Sequence, residues 1–477
     1  MQLWHGTINP VVRTMAPRMH PSLATFTDLY ELTMAQAYWQ EGMAETATFS
    51  FFFRSLPPHR GYLVAAGIEP LLAELDGFHF TEEDIAALRQ LRRFHEDFLS
   101  YLAGVRFTGS VRAVAEGTVV FANEPLLEVT APILQAQLVE TLVVNRLHVY
   151  TLLASKAARV RWAAGPQRQV VDFGARRCHG LEAADMAAYS GWLVGFEGTS
   201  NVHAGLRYGI PLYGTMAHSF VTAFPHELDA FRAYARTFPD STTLLVDTYD
   251  TVAGIKHALR IAGELQQQGH QLRGIRLDSG DLASLSRIAR QLADAAGFPH
   301  LQIFASGGID EYTIEQLVAQ RAPIDAFGVG TKYGVSQDAP YGDCAYKLVS
   351  YAGRATLKLS EHKQTLPGSK QVYRFYDPTG QMLYDQIALA EEPPPLGGQP
   401  LLHEVIREGR RVHPPVSLDA SRQYFRQQWA SLPEPCKDLH NPVPYDVQLS
   451  VRLHQLTKQL TEQLRAELHP PDHTPAG

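Results

Sequence analysis

Between about residues 170 and 330 the apolar positions gather in short runs rich in Val, Ile and Leu. Each run ends in Gly, Ser, Thr or Asp and is followed by a helix-length segment. The runs are QVVDFG (169–174), LVGFEG (193–198), IPLYGT (210–215), TLLVDT (243–248), GIRLDS (274–279), LQIFASG (301–307) and IDAFGVG (324–330). Continuously apolar runs describe strands buried on both faces, and helical text between them, such as LASLSRIARQLADAAG (282–297), describes βα units on a parallel sheet. The seven runs predict an α/β fold whose parallel sheet closes into a barrel. An open doubly wound sheet is the rival. It would be expected to carry a glycine-rich dinucleotide fingerprint after its first strand, and QVVDFGARRCHG does not read G-x-G-x-x-G.

The flanks read differently. Before the runs come a helical stretch over 28–40, a β-rich run at 48–54, helices around 63–75 and 82–103, and strand-like pieces at 106–115 and 118–130. After 345 the text is β-rich again, and alternation about the DPTG turn (377–380) predicts an antiparallel hairpin. A Pro-rich break at 393–400 follows, with closing helices near 418–430 and 444–468. The expected organisation is an N-terminal α+β domain over 25–150, the barrel over 151–345, and a C-terminal segment over 346–470 that packs on the N-terminal domain and makes it discontinuous. Residues 1–24 are expected to be a tail outside the fold or the product of a start placed too early, given Met15 and Met19. The final PPDHTPAG is expected to be disordered.

Composition narrows the class. The chain has 477 residues with 45% hydrophobic and 19% charged, ordinary globular usage that excludes disordered, collagenous and coiled-coil proteins. Its net charge of −7 and lack of a basic run argue against nucleic acid and anionic lipid as partners, so an anionic ligand must be held locally. Cys178, Cys344 and Cys436, without short spacing, fit free thiols in a reducing compartment. No window reaches the ~18 apolar residues of a membrane span, and cytoplasm is the expected location.

Polar residues and glycines cluster at the C-terminal ends of the runs, the catalytic face of a βα barrel. DFGARR puts Arg176 and Arg177 just past a strand, where a guanidinium suits bidentate binding of carboxylate or phosphate; a surface ion pair is the alternative. GTMAHSF puts His218 in a loop as a candidate base, ligand or nucleophile towards phosphorus. In GIRLDSGD, Arg276 and Asp278 share one strand face at the mouth, with a buried structural ion pair as the alternative. SGGID, with Ser306, Gly307 and Gly308, and GVGT, with Gly328, Gly330 and Thr331, place backbone N–H groups and helix starts where one phosphate could be cradled.

These motifs, with TDLYELTMAQAYW (27–39), FRSLPPHRGYLVAAGIEPLL (53–72), FEGTSNVHAG and VDTYDT, occur in the order found in nicotinate phosphoribosyltransferases, which the chain strongly resembles. The resemblance implies a type II phosphoribosyltransferase fold, an irregular parallel α/β barrel plus an α+β domain, and a homodimer with shared active sites. It implies that nicotinate and 5-phosphoribosyl 1-pyrophosphate give nicotinate mononucleotide and pyrophosphate in NAD salvage, with Mg2+ on the pyrophosphate and ATP hydrolysis coupled through a phosphohistidine at His218. It further implies that Tyr30 stacks on the pyridine ring from the partner subunit, opposite Phe173. Thr215 and Arg276 would contact nicotinate, Arg176 would anchor anionic substrate, and Asp247 would belong to the substrate site. Ser306, Gly307, Gly308, Gly328, Gly330 and Thr331 would hold the 5′-phosphate, and Asp278 the ribose hydroxyls or the metal shell. In the sister family that uses nicotinamide, an Asp stands where FEGTSN has Ser200; an Asp there would repel a carboxylate that a hydroxyl can bind. A nicotinamide- or quinolinate-using transferase and a catalytically silent nucleotide binder are the alternatives.

Overall fold

The computed structural model describes residues 23–359 and 365–468. Of the expected N-terminal tail only Leu23 and Ala24 are described, and Ala24 is buried in the core, so it belongs to the fold. The PPDHTPAG segment lies outside the described residues.

The apolar runs form a parallel sheet of β1 (Gln169–Asp172), β2 (Gly198–Thr199), β3 (Thr243–Leu245), β4 (Gly274–Leu277), β5 (Gln302–Ala305) and β6 (Ala326–Val329), in the order β2-β1-β6-β5-β4-β3. Two of the seven runs are corrected. LVGFEG contributes only β2 at its last residue, because Leu193 ends the preceding helix; IPLYGT makes a single parallel bridge, Leu212 to Thr199. Proline at 211 removes one ladder donor from that run. Helices cover the outer face, where Ile275, Leu277, Ile303, Phe327 and Val329 pack with Ile255, Ala258, Ile261, Ala289 and Ile314 in one buried cluster. Burying a side chain of the Ile, Leu or Phe kind contributes roughly 1.5–3 kcal/mol.

The turns at the strand ends are set locally. Asp250, Asp281 and Asp310 follow β3, β4 and β5, and each caps the next helix, accepting from Ala253, from Ala283 and Ser284, and from Thr313. The acidic residues four or five positions past these strand ends therefore start the helices that follow.

A second, antiparallel sheet is shared by distant parts of the chain. Thr46–Phe53 lies between Pro125–Pro132 and Cys344–Tyr351, and Ser110–Ala113 lies between Pro125–Pro132 and His403–Arg407. Lys370–Tyr376 and Met382–Leu389 form the hairpin about the DPTG turn. Two boundaries read from the sequence do not coincide with breaks: one helix, Glu140–Ala164, runs through 150, and the strand Cys344–Tyr351 runs through 345. The stretch 82–103 is two helices, Glu82–Gln90 and Glu96–Gly104, and 63–75 is a short strand, Leu63–Val64, before the helix Ile68–Asp76. No helix among the described residues is long and apolar enough to cross a membrane.

Candidate active site

Strand alternation decides which side chains reach the mouth of the parallel sheet. On β4, Ile275 and Leu277 are buried among the covering helices, whereas Arg276 and, two residues on, Asp278 line a cleft of about 230 Å³. The loop after β1 adds Phe173, Arg176 and Arg177, the end of β5 adds Ser306, Gly307 and Gly308, and β6 with its following turn adds Gly328, Gly330 and Thr331. All these come from separate βα units, and the pairing of β1 with β6 and of β6 with β5 and β5 with β4 brings them side by side.

A hydrogen-bonded row fixes the acidic wall. Asp278 Oδ1 accepts from the Ser306 hydroxyl at 2.5 Å, and the Asp278 N–H donates to Asp247 Oδ2 at 3.0 Å. Asp247 Oδ2 also accepts from the Ser279 hydroxyl at 2.5 Å, while Asp247 Oδ1 is buried without a hydrogen-bond partner. His218, which begins the helix His218–Thr222, stands at the edge of this row: Nε2 lies 3.7 Å from Asp278 Oδ2, and Nδ1 3.2 Å from Thr248 Oγ1. Arg276 donates through Nη2 to the Met216 carbonyl at 3.2 Å, and its Nε is buried without a partner. Burial lowers the Arg276 pKa from its usual value, with Asp278 and Asp247 opposing that effect. Three guanidinium groups and one carboxylate thus line the cleft, a surplus of positive charge suited to an anion.

The floor is aromatic. Phe173 stacks on Phe304 with ring centroids 5.5 Å apart and an interplanar angle of 20°. Gly328 leaves room for this pair, since a Cβ there would lie 2.6 Å from Phe173 and 2.8 Å from Phe304. Below the pair is a second cavity, of about 300 Å³, lined by Phe173, Phe304, Thr215 and Tyr213 among others. Thr215 therefore faces the lower cavity, although its hydroxyl donates to the same Met216 carbonyl that binds Arg276. Ser200 lines neither cavity; its N–H donates to the Asp172 carbonyl at 2.8 Å. Tyr30, on the helix Leu29–Gln40, is 46% exposed and lines neither cavity, so the cleft of a single chain does not contain it.

The arginine loop rests on a residue that the sequence reading passed over. Asp172, buried on the outer side of β1, accepts from Gly174 N–H and from the Thr199 hydroxyl, both at 2.7 Å, and so ties the loop to the end of β2. Its burial raises the pKa to about 6 despite those two bonds. The neighbouring Cys178 thiol is pushed up to about 12, chiefly by burial. Phe304 was also missed. Its signal is the register that sets it level with Arg276, which requires knowing that β4 and β5 pair.

Three family models match the chain in order: the nicotinate phosphoribosyltransferase N-terminal domain over residues 25–148, the nicotinate phosphoribosyltransferase family over 168–361, and the nicotinate phosphoribosyltransferase C-terminal domain over 397–457. The chain is 50% identical over 442 residues to nicotinate phosphoribosyltransferase pncB2 of Mycobacterium tuberculosis, covering 92% of this chain and 94% of that protein. It is 42% identical over 380 residues to nicotinate phosphoribosyltransferase of Bacillus subtilis, covering 78% and 77%. Its fold matches the crystal structure of human nicotinic acid phosphoribosyltransferase with a TM-score of 0.83 at 30% identity, over 91% of this chain and 99% of that one.

Proposed function

The chain belongs to the nicotinate phosphoribosyltransferase family, enzymes of NAD salvage, and from that premise we propose how its cleft carries out the transfer. The substrates are nicotinate and 5-phosphoribosyl 1-pyrophosphate. The pyridine nitrogen forms a bond to the anomeric carbon, the bond from that carbon to the pyrophosphate oxygen breaks, and nicotinate mononucleotide and pyrophosphate leave. The observation that carries this reading is the single cleft uniting Arg176, Arg276, Asp278 and two glycine-rich turns.

Arg176 and Arg276 hold the anionic groups, and Arg276 is directed by the Met216 carbonyl toward the cleft. The N–H groups of the turns at Ser306–Gly308 and Gly328–Thr331 cradle the 5′-phosphate. Asp278, oriented by Ser306 and by the Asp247 row, accepts from the ribose hydroxyls. Phe173, backed by Phe304, gives the pyridine a flat apolar face, and Tyr30 of a second copy supplies the other in a homodimer with shared sites. The sheet, extended by the Leu212 bridge, is read as an irregular barrel around the lower cavity.

Mg2+ fits this donor set, because Asp247 retains a buried unpartnered oxygen beside Asp278, and Mg2+ is commonly held by one or two carboxylates together with substrate phosphates. Bound there, it would neutralise charge on the departing pyrophosphate. ATP coupling is assigned to His218: an imidazole nitrogen takes the γ-phosphoryl group of ATP, ADP leaves, and the ring gives up a proton. His218 is 45% exposed in its side chain and faces Asp278, so an incoming phosphoryl group can reach it from the cleft.

The test is an initial-rate comparison of nicotinate, nicotinamide and quinolinate, each with and without ATP, paired with γ-labelled ATP and His218→Ala. Expected are a preference for nicotinate, stimulation by ATP, and acid-labile labelling that His218→Ala abolishes. Undiminished labelling of the variant removes His218 from the coupling, and release of pyrophosphate with none of the three substrates removes the transferase reading.

A further inference from the structure

Behind the two phosphate turns lies a buried cluster of charges that the mechanism above does not use. Lys156 and Arg159 project from the helix Glu140–Ala164, each 1% exposed, towards Glu311 at 0% and Asp338. Lys156 Nζ lies 2.5 Å from Glu311 Oε2 and 2.6 Å from Asp338 Oδ1. Arg159 Nε lies 3.1 Å from Glu311 Oε1, and Arg60 Nη2 lies 2.9 Å from Asp338 Oδ2. The two carboxylates are not arbitrary in sequence. Glu311 begins the helix that follows SGGID, and Asp338 lies in the turns that follow GVGTKY. Lys156 therefore bridges the segments downstream of both glycine turns. A second tie crosses the same gap nearer the cleft, where Lys332 Nζ meets Asp310 Oδ2 at 2.7 Å.

We propose that Lys156 is a positioning residue that, through Glu311 and Asp338, sets the separation of the two glycine turns and so the affinity for the phosphate-bearing substrate. The inference rests on reading those turns as the phosphate cradle. Backbone donors bind a phosphate only when both turns present their N–H groups at hydrogen-bond distance, and Gly307, Gly308, Gly328 and Gly330 contribute no side chains that could tie one turn to the other. Arg159 anchors the clasp to the remaining chain, donating to the His59 carbonyl at 2.6 Å and to the Leu439 carbonyl at 2.8 Å. Three cations face two carboxylates here, so removing the Lys156 charge leaves two of each sign and no uncompensated carboxylate. Lys156→Met is accordingly expected to fold.

The experiment compares wild type, Lys156→Met, Asp338→Asn and the double variant of the full chain. Calorimetry gives the dissociation constant for ribose 5-phosphate, and kinetics give kcat and KM for each substrate. Each single variant is expected to weaken ribose 5-phosphate binding and raise KM for phosphoribosyl pyrophosphate about tenfold, the worth of roughly one hydrogen bond to a charged acceptor. KM for nicotinate should stay within about twofold, and the double variant should lose no more than the worse single one. Wild-type ribose 5-phosphate affinity in folded Lys156→Met overturns the role, as does an equal rise in both KM values or additive losses in the double variant. Because the binding measurement needs no turnover, a wild type that binds ribose 5-phosphate yet makes no mononucleotide would remove the transferase reading and leave the positioning role to be decided by the same four dissociation constants.

Discussion

Gly307→Ala tests the geometry of the cleft where it is tightest. Gly307 has φ +89°, and a Cβ there would lie 1.9 Å from the Asp278 carbonyl oxygen and 2.9 Å from its carbonyl carbon. Alanine in the left-handed region costs roughly 1–2 kcal/mol, and relieving the overlap by backbone movement costs roughly 1–3 kcal/mol more. The backbone that must move is that of Asp278, whose side chain is held by Ser306 and whose N–H is held by Asp247. Real carbon contacts below 3.0 Å are essentially absent, so the carbonyl and the turn must part by about 1 Å, a displacement that in an active site costs about 100-fold in rate. Gly308 is the internal control: its φ is +65°, but a Cβ there meets nothing within 4 Å, leaving only the conformational cost. The assay is kcat/KM for phosphoribosyl pyrophosphate together with urea denaturation of both variants. Gly307→Ala is expected to fall about 100-fold, and Gly308→Ala to lose roughly 1–2 kcal/mol of stability with a far smaller kinetic loss. Equal kcat/KM values for the two variants would refute the reasoning, because the steric difference between them is the whole of the argument.

Three further outcomes follow from the site. Asp172 has its pKa raised from 3.8 to about 6 by burial, so the stability attached to its neutral form is present at low pH and is lost as pH rises from about 4 through about 6; denaturation of Asp172→Asn across that range should gain up to about 3 kcal/mol relative to wild type, and a pH-independent difference would contradict it. Mixing subunits of inactive Tyr30→Ala and inactive His218→Ala should regenerate activity under conditions of exchange, and verified hybrids without activity would sink the shared-site model. Ser200→Asp, at the position where the nicotinamide-using sister family carries Asp, should depress kcat/KM for nicotinate more than for nicotinamide, but only several-fold, the worth of about a quarter of the ~4 kcal/mol repulsion between carboxylates ~4 Å apart at an effective dielectric near 20, because Ser200 lines neither cavity; an unchanged ratio in folded protein would place selectivity elsewhere.

Local chemistry made the strand ends legible. The apolar runs at 169–172, 243–245, 274–277, 302–305 and 326–329 form strands, and Arg176, Arg276, Asp278, Ser306, Gly307, Gly308, Gly328, Gly330 and Thr331 share one cleft, because a side chain's face follows from its position along its own strand. The helix Glu140–Ala164 escaped notice for the converse reason. It is buried on most of its surface, from Leu142 through Tyr150, Ala154 and Arg159 to Ala164, so it has no polar stripe to mark its period. What passes between strands and segments only the tertiary structure decided. The sequence does not say that Phe304 sits level with Arg276, that Gly328 must make room for two rings, that Thr215 faces the lower cavity, or that Lys156 meets a carboxylate 182 residues away. Such contacts depend on which strands and helices lie side by side, a choice made by burying the whole apolar surface at once and not by any local run of residues.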